Sequence, residues 1–122
     1  KGRSKYGQPF VQLFLYMLQS PAWAALPPVD RAIYLHLAGI YNGSNNGSLG
    51  LSVRNAAEAC NVNKDTAAKA LIRLQEAGFI ECSQLGAFGR KVRHSAEWCL
   101  TVHKNDRTGA PASKAFMRWR PA

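Results

Sequence analysis

The sequence predicts an α+β fold, mainly α, because two capped helical segments joined by a short turn are followed at once by a hairpin. Ser52 precedes one helix over 53–60 and Asn63 precedes a second over 64–77, with about three residues of turn between them. After Gly78 the apolar pattern changes from helical to alternating. This order of elements is that of a winged helix-turn-helix with extra N-terminal helices and a two-stranded wing.

The chain before this unit is expected to be mostly helical. It contains a short apolar element over 10–18, a brief helix that begins at Pro21 after an N-cap at Ser20, and a longer helix over about 28–41. The apolar stripe of the longer helix is assigned to Ala32, Leu35 and Ile40, widened by Ile33 and Leu37. Residues 42–48 are turn formers without an apolar member, which predicts a loop.

The spacing inside the helix pair favours close packing. Ala57 is small where the two helices are expected to approach, and Asn61 suits a left-handed turn that Gly often supplies. Val62 is expected to plug the turn, and Gly78 is expected to end the second helix in a left-handed conformation. The inward face of the second helix is assigned to Ala67, Ala70, Leu71 and Leu74.

Two strands are expected after the second helix, over 79–85 and 98–102. The connection between them is the predicted wing, whose glycines let the backbone approach a phosphate and whose cations neutralise it. The large aromatics fit apolar-periodic positions, so we assign them to the core rather than to stacking platforms for single strands. They are Trp23, Tyr34, Tyr41, Phe79 and Trp98.

Charge predicts the class of partner. The 122 residues carry a formal charge of +9 with 47% hydrophobic residues, enough for one packed domain over 1–122. The excess lies towards the two ends, +3 over 1–50 with its basic lead-in at 1–9 and +6 over 89–122 with its basic tail at 106–122, around a nearly balanced middle. Residues 89–122 alone hold eight basic and two acidic side chains. Such a distribution favours a polyanion as partner, here double-stranded DNA.

Other chemistries find little support in the sequence. Cys60, Cys82 and Cys99 form no CxxC pair, so we expect reduced thiols in a cytoplasmic, nucleoid-associated protein. No metal-ligand spacing, nucleophile elbow or pair of carboxylates is present, so we expect no cofactor, no metal and no enzymatic activity. The longest apolar stretch is too short to span a bilayer, so no membrane partner is expected.

The helix over 64–77 is the predicted recognition helix, whose N-terminal half enters the major groove in such domains. The residues expected to bind DNA from this helix are Asn63, Lys64, Asp65, Thr66, Ala68, Lys69 and Arg73. Those expected from the wing and its flanks are Arg90, Lys91, Arg93, Arg54 and Lys104. Asn suits adenine, Lys suits guanine, Asp accepts from the cytosine amino group, and an Ala methyl touches the thymine methyl.

Several strings spread over most of the chain carry a family resemblance. They are SPAW at 20–23, YNGSNNG at 41–47, LSVRNAA at 51–57, AF at 87–88, SAEWCLT at 95–101 and KAFMRW at 114–119. In order and spacing they resemble a family of small alphaproteobacterial winged helix-turn-helix proteins of plasmids, prophages and conjugative elements. The resemblance implies a transcription-regulator or replication-initiator type of DNA-binding domain, with VNKDTA at 62–67 at the start of its recognition helix.

Three functions remain open at this point. The first is a sequence-specific transcriptional regulator, such as a repressor, of a mobile element or of conjugative transfer. The second is the DNA-binding domain of a plasmid or phage replication initiator or partition protein. The third is a protein-interaction module whose tail, around Phe116 and Trp119, docks a partner. A homodimer that forms through residues 8–26 or the tail is compatible with all three.

Overall fold

The computed structural model describes residues 8–85 and 95–121 and contains five α-helices, three strands and a 3-10 turn in these ranges. The helices are α1 (Leu15–Leu18), α2 (Pro21–Ala25), α3 (Pro28–Ile40), α4 (Val53–Cys60) and α5 (Lys64–Glu76). The strands are β1 (Leu49–Gly50), β2 (Ile80–Gln84) and β3 (Glu97–Leu100), and the 3-10 turn is Ala115–Arg118. The mainly helical α+β winged helix-turn-helix is therefore confirmed.

The ends of α2 follow the local chemistry of the chain. The Ser20 hydroxyl accepts a hydrogen bond from the Trp23 backbone N–H at 3.2 Å and donates one to the Met17 carbonyl at 2.7 Å. Pro21 occupies the first helical position, where a missing N–H costs nothing. The predicted N-cap is confirmed, and the same hydroxyl ties α2 to the end of α1.

The apolar stripe predicted for α3 was wrong in phase. Ile33 and Leu37 are buried as expected, but Leu35 is 43% exposed and Ala32 is also exposed. The buried stripe runs from Asp30 through Ile33, Tyr34, Leu37 and Ala38, which is regular helical spacing. Its first member is a carboxylate, so a count of apolar residues alone shifts the stripe to the wrong side of the helix.

The sheet has one strand more than the predicted two-stranded wing. The strand order is β1-β3-β2, and both pairings are antiparallel. β1 places Leu49 opposite Trp98, directly after the 42–48 loop. A register shift between Cys82 and Gln84 marks the end of β2 that leads into the wing connection. A two-residue strand has no alternating pattern of its own, and its pairing with β3 defines it.

The aromatic side chains form one packed cluster at the end of α5. Phe79 stacks in parallel on Phe116, with ring centroids 5.0 Å apart, while Tyr34 and Trp23 pack edge-on against Phe79. Phe116 is 1% exposed, so this part of the tail packs on the domain's own core. The core assignment of the aromatics is confirmed for Tyr34, Phe79 and Trp98, which are buried.

Gly78 makes the docking of the tail possible. Its φ of +90° confirms the predicted left-handed end of the second helix. A Cβ at this position would lie 2.6 Å from backbone atoms of Ala115 and Phe116. Only glycine therefore allows both the turn after α5 and the close approach of the tail.

The predicted 42–48 loop is held in place by the hydrogen bonds of one buried side chain. Asn46 is fully buried, and its Nδ2 donates to the carbonyls of Leu100 at 2.9 Å and Lys104 at 2.8 Å. Its Oδ1 accepts from the Leu100 N–H at 2.7 Å, and its own N–H donates to the Asp106 carboxylate at 2.9 Å. The loop is thereby held against the turn that follows β3.

Within the described ranges, Cys60, Cys82 and Cys99 are free thiols. Burial raises the pKa of Cys99 to about 11, because desolvation disfavours the thiolate. Among residues 8–85 and 95–121, no helix is long and apolar enough to cross a membrane.

Candidate nucleic-acid interface

The turn between α4 and α5 has the geometry that the sequence predicts. Asn61 lies in the left-handed region at φ 57° and ψ 49°, and its N–H returns to the carbonyls of Ala57 and Glu58. The N–H of Val62 also donates to the Ala57 carbonyl, at 3.0 Å. These bonds satisfy the last carbonyls of α4 while the chain reverses into α5.

Both helices of the pair begin on a side-chain cap. The Ser52 hydroxyl accepts from the Asn55 N–H at 3.0 Å, and the Asn63 carbonyl oxygen Oδ1 accepts from the Thr66 N–H at 2.8 Å. Ala57 is buried where the helices meet, as its size predicts. The starts of both helices and the turn between them are therefore held by hydrogen bonds that span three to five residues.

The inner and outer faces of α5 divide as predicted. Ala67, Ala70, Leu71 and Leu74 are buried against the core. Lys64, Asp65 and Lys69 are exposed, and Thr66 and Ala68 are partly buried beside them. The small Ala68 keeps the outer surface low between two lysines, which lets another surface approach the helix backbone.

A shallow groove brings together three of the predicted site residues. Arg54 from α4 faces Asn63 and Lys64 at the start of α5 across a floor that includes Val62. Two cations and the N-terminal end of a 13-residue helix favour an anion here. The groove also contains Glu58, whose carboxylate is 3.9 Å from the Arg54 guanidinium. Both side chains are largely exposed, so this pair is weak and Arg54 can exchange it for another anion.

Two different roles were predicted for Asn63. It caps α5 through Oδ1, and it was also expected to contact base edges. A bidentate contact with adenine uses both Oδ1 and Nδ2 of an asparagine. With Oδ1 engaged at the Thr66 N–H, the structure supports Asn63 as the cap of the recognition helix more strongly than as a reader of adenine.

Arg73, which was predicted to contact DNA, has a partner inside the domain. Its Nε and Nη2 atoms each donate to the carboxylate of Asp30 at 2.8 Å. Asp30 is fully buried, and this hydrogen-bonded pair raises the pKa of Arg73 further above its ordinary value. The guanidinium is directed to α3, 43 residues away in sequence, so the side chain joins two helices of the domain.

Lys104 follows the second predicted strand, at the end of the sheet away from the wing connection. The wing connection leaves β2 at Gln84 and enters β3 at Glu97, whereas Leu100 at the other end of β3 pairs with Ile80. Lys104 follows that second end, where its carbonyl is bound by Asn46. Because the strands are antiparallel, Lys104 follows the end of β3 opposite to the one that the wing connection enters.

Arg107, rather than Lys104, reaches the base of the wing. Its guanidinium donates to Glu97 at 2.7 Å, to Gln84 at 2.6 Å and to the Gly47 carbonyl at 3.1 Å. It thereby joins both wing strands to the 42–48 loop. The sequence carries no local signal for this role or for the hydrogen bonds of the buried Asn46 side chain, because both depend on partners far along the chain. The wing cations Arg90, Lys91 and Arg93 lie outside the described residues.

With this geometry established, comparison with known proteins identifies the central part of the chain. Residues 24–80 match the family model of a helix-turn-helix domain. The matched segment extends from α2 to the start of β2, so it contains α3 and the α4–α5 pair. No curated protein and no solved structure matches the chain. The chain therefore contains a helix-turn-helix domain, extended by the wing strands, and domains of this class are associated with DNA binding.

Proposed function

We propose that this chain binds specific sequences in double-stranded DNA and regulates transcription for a mobile element or for conjugative transfer. The observation that supports the proposal best is the helix-turn-helix itself, with α5 capped at Asn63 and packed on one face only. Its outer face carries Lys64, Asp65, Ala68 and Lys69, which are short or charged. In this proposal the chain acts by binding, without catalysis and without a cofactor.

The shape and chemistry of α5 fit a major groove. The groove is about 12 Å wide and admits one α-helix. Lys64 and Lys69 can donate to guanine O6 and N7, Asp65 can accept from the cytosine amino group, and the methyl group of Ala68 fits beside a thymine methyl. Phosphates on either side of the groove are then assigned to Arg54 and to the wing cations Arg90, Lys91 and Arg93, which the sequence supplies.

The biological process is inferred from the family resemblance. Residues 20–23, 41–47 and 95–101 resemble a family of winged helix-turn-helix proteins of plasmids, prophages and conjugative elements, and a regulator fits that resemblance. The same resemblance covers replication initiators, which bind arrays of direct repeats. A regulator that binds as a homodimer requires two inverted half-sites about one helical turn apart. Site symmetry therefore separates the two functions.

The experiment that tests this proposal is selection of bound oligonucleotides from a random duplex pool, followed by footprinting on the enriched site. A regulator is expected to enrich one sequence, with inverted half-sites if it dimerises. An array of direct repeats beside an origin would replace the regulator with the initiator. Failure to enrich any duplex at about 50 mM salt would contradict DNA binding altogether.

Matched lysine variants then test the interface. Lys69→Ala is expected to weaken specific binding by about 1–3 kcal/mol and to relax the preference at one base position. The control is Lys114→Asn, which removes the same charge at the tail and keeps a residue type that tolerates the left-handed φ of 50° found there. Lys114 lies beside the end of α5, about 20 Å from Asn63 along a 13-residue helix. Equal losses for both variants would contradict recognition by α5.

A further inference from the structure

Ile72 is an exposed aliphatic side chain on the outer face of α5. It is 51% exposed, whereas its helix neighbours Leu71 and Leu74 are 3% and 0% exposed. It lies outside the cluster of buried and partly buried side chains that forms the core. Neither the helix-turn-helix match nor the predicted base contacts gives this residue a role.

The helical period places Ile72 in the stripe proposed to face DNA. Asp65 and Lys69, and likewise Ala68 and Ile72, are four residues apart, so these four side chains share one side of α5. Ala68 and Ile72 are one turn apart, about 6 Å along the axis. Successive bases of one strand are about 3.4 Å apart along the duplex, so these two methyl-bearing side chains span about two base steps.

Only one chemical group in the major groove rewards an aliphatic side chain. Phosphates and the polar base edges gain nothing from isoleucine, but the C5-methyl group of thymine is apolar and marks T·A among the four base pairs. Lys64 and Lys69, which are assigned to guanine on the same outer surface, bring the base edges within reach of Ile72. Contact would remove the exposed surface of Ile72 from water.

We infer that Ile72 reads thymine through its C5-methyl group, with Ala68 as the second apolar contact one turn earlier on α5. The inference rests on the proposed function and deepens it, since it specifies T at one position of the target site. It also extends the reading surface into the second half of α5, beyond Lys69.

The test removes the methyl group from the DNA and from the protein separately. Each thymine of the enriched site is replaced in turn by deoxyuridine, which keeps the Watson–Crick edge and lacks the C5-methyl group. At the thymine read by Ile72, this replacement is expected to weaken wild-type binding about fourfold, the effect of burying about one methyl group. Relative to the wild type, Ile72→Ala is expected to bind the thymine site at least about fourfold more weakly. Replacing that thymine by deoxyuridine is expected to weaken the binding of this variant no further.

The matched control is Leu35→Ala, which truncates a 43% exposed aliphatic side chain on α3. This variant is expected to bind as the wild type does and to keep the full sensitivity to deoxyuridine. Urea unfolding checks that Ile72→Ala is folded, which its exposure predicts.

The outcomes are distinguishable. An Ile72→Ala variant that keeps the wild-type sensitivity at every thymine overturns the inference, and so does a wild type that ignores every replacement. In both cases DNA binding itself stands. A random pool from which the wild type enriches no duplex overturns the proposed function as well. A variant that binds DNA normally but changes the oligomeric state assigns Ile72 to a protein contact and also overturns the inference.

Discussion

The guanidinium of Arg73 on α5 holds the buried carboxylate of Asp30 on α3 through two hydrogen bonds of 2.8 Å each. The pair is unequal, since the Asp30 side chain is fully buried whereas the Arg73 side chain is 40% exposed. It connects the helix that carries the proposed base contacts to the longest helix of the N-terminal part. The orientation of α5 therefore depends on a contact that no local pattern of the helix contains.

The unequal burial of this pair predicts unequal effects of its removal. Arg73→Ala leaves a buried carboxylate without a partner and is expected to lower the free energy of unfolding by about 3–5 kcal/mol. Asp30→Ala leaves a half-exposed guanidinium that water can solvate, so this variant is expected to lose less free energy of unfolding than Arg73→Ala. Urea unfolding of both variants measures the order, and a larger loss for Asp30→Ala would contradict this account.

Arg73→Lys and Arg73→Gln together separate the structural role from a phosphate contact. Lysine keeps the charge but replaces the two parallel hydrogen bonds by a single point charge, so stability is expected to fall. Arg73→Gln also removes the charge, and the slope of log K against log salt is nevertheless expected to stay at the wild-type value. A phosphate contact by Arg73 would instead make Arg73→Gln reduce that slope by about 1, which titration at four salt concentrations detects.

Asn46 is expected to be the most sensitive residue of the 42–48 loop. Asn46→Ala removes the side-chain acceptor of the buried Leu100 N–H and the Nδ2 donor to the carbonyls of Leu100 and Lys104. It is expected to cost about 3 kcal/mol in free energy of unfolding. Ser48→Ala, an exposed change in the same loop, is expected to stay within about 0.5 kcal/mol. Chemical denaturation of the two variants is the measurement, and equal midpoints would show that the hydrogen bonds of the Asn46 side chain contribute nothing to stability.

The left-handed backbone at Asn61 predicts which substitutions the turn accepts. Asn61→Gly is expected to be neutral or slightly stabilising, whereas Asn61→Val is expected to cost about 2 kcal/mol, because a β-branched side chain clashes at φ 57°. The control is Asn55→Val within α4, where backbone strain is absent and the cost reflects helix propensity, roughly a few tenths of a kcal/mol. Thermal unfolding ranks the three variants, and similar losses for both valines would refute the strain.

His103 predicts a loss of stability in mild acid. Its ring stacks on Tyr41 with centroids 4.3 Å apart and lies near Phe14, and burial lowers the pKa of His103 below its ordinary value of 6.5, although Asp106 acts in the opposite direction. Between the two pKa values the unfolded chain binds more protons than the folded one, so stability rises with pH. The stability that the buried, neutral ring of His103 contributes is complete above pH 6.5 and is lost as the pH falls below this value.

Urea midpoints at pH 7.5 and at successively lower pH test this for the wild type and for His103→Gln. The variant lacks the titrating ring, so its midpoint is expected to change less as the pH falls. An equally steep dependence in the variant would assign the acid sensitivity to other groups.

Much of the helix-turn-helix could be predicted because its ends depend on short-range bonds. Ser20, Ser52 and Asn63 each accept a hydrogen bond from an N–H three residues ahead, and the structure confirms all three caps. Asn61 and Gly78 take left-handed backbone conformations that few residue types tolerate. Residue identity at such positions is therefore enough to predict where a helix begins or ends.

The candidate site was predictable only where it follows helical periodicity. The inner and outer faces of α5 separate as the spacing of its alanines and leucines predicts. The buried side of α3 is not the side that its apolar residues predict, since its buried stripe begins at the carboxylate of Asp30. A charged residue with a partner on another helix reads as solvent-facing until that partner is known.

The sequence by itself determined the order of the elements, the helix ends, the left-handed turn and the outer face of α5, because backbone preference and capping act within about four residues. The tertiary structure decided the rest. It paired Arg73 with Asp30 across 43 residues and Asn46 with Leu100 across 54, added β1 to the wing strands and packed Phe116 on Phe79. Each of these contacts has a free energy that depends on two distant segments meeting, and neither segment alone encodes its partner.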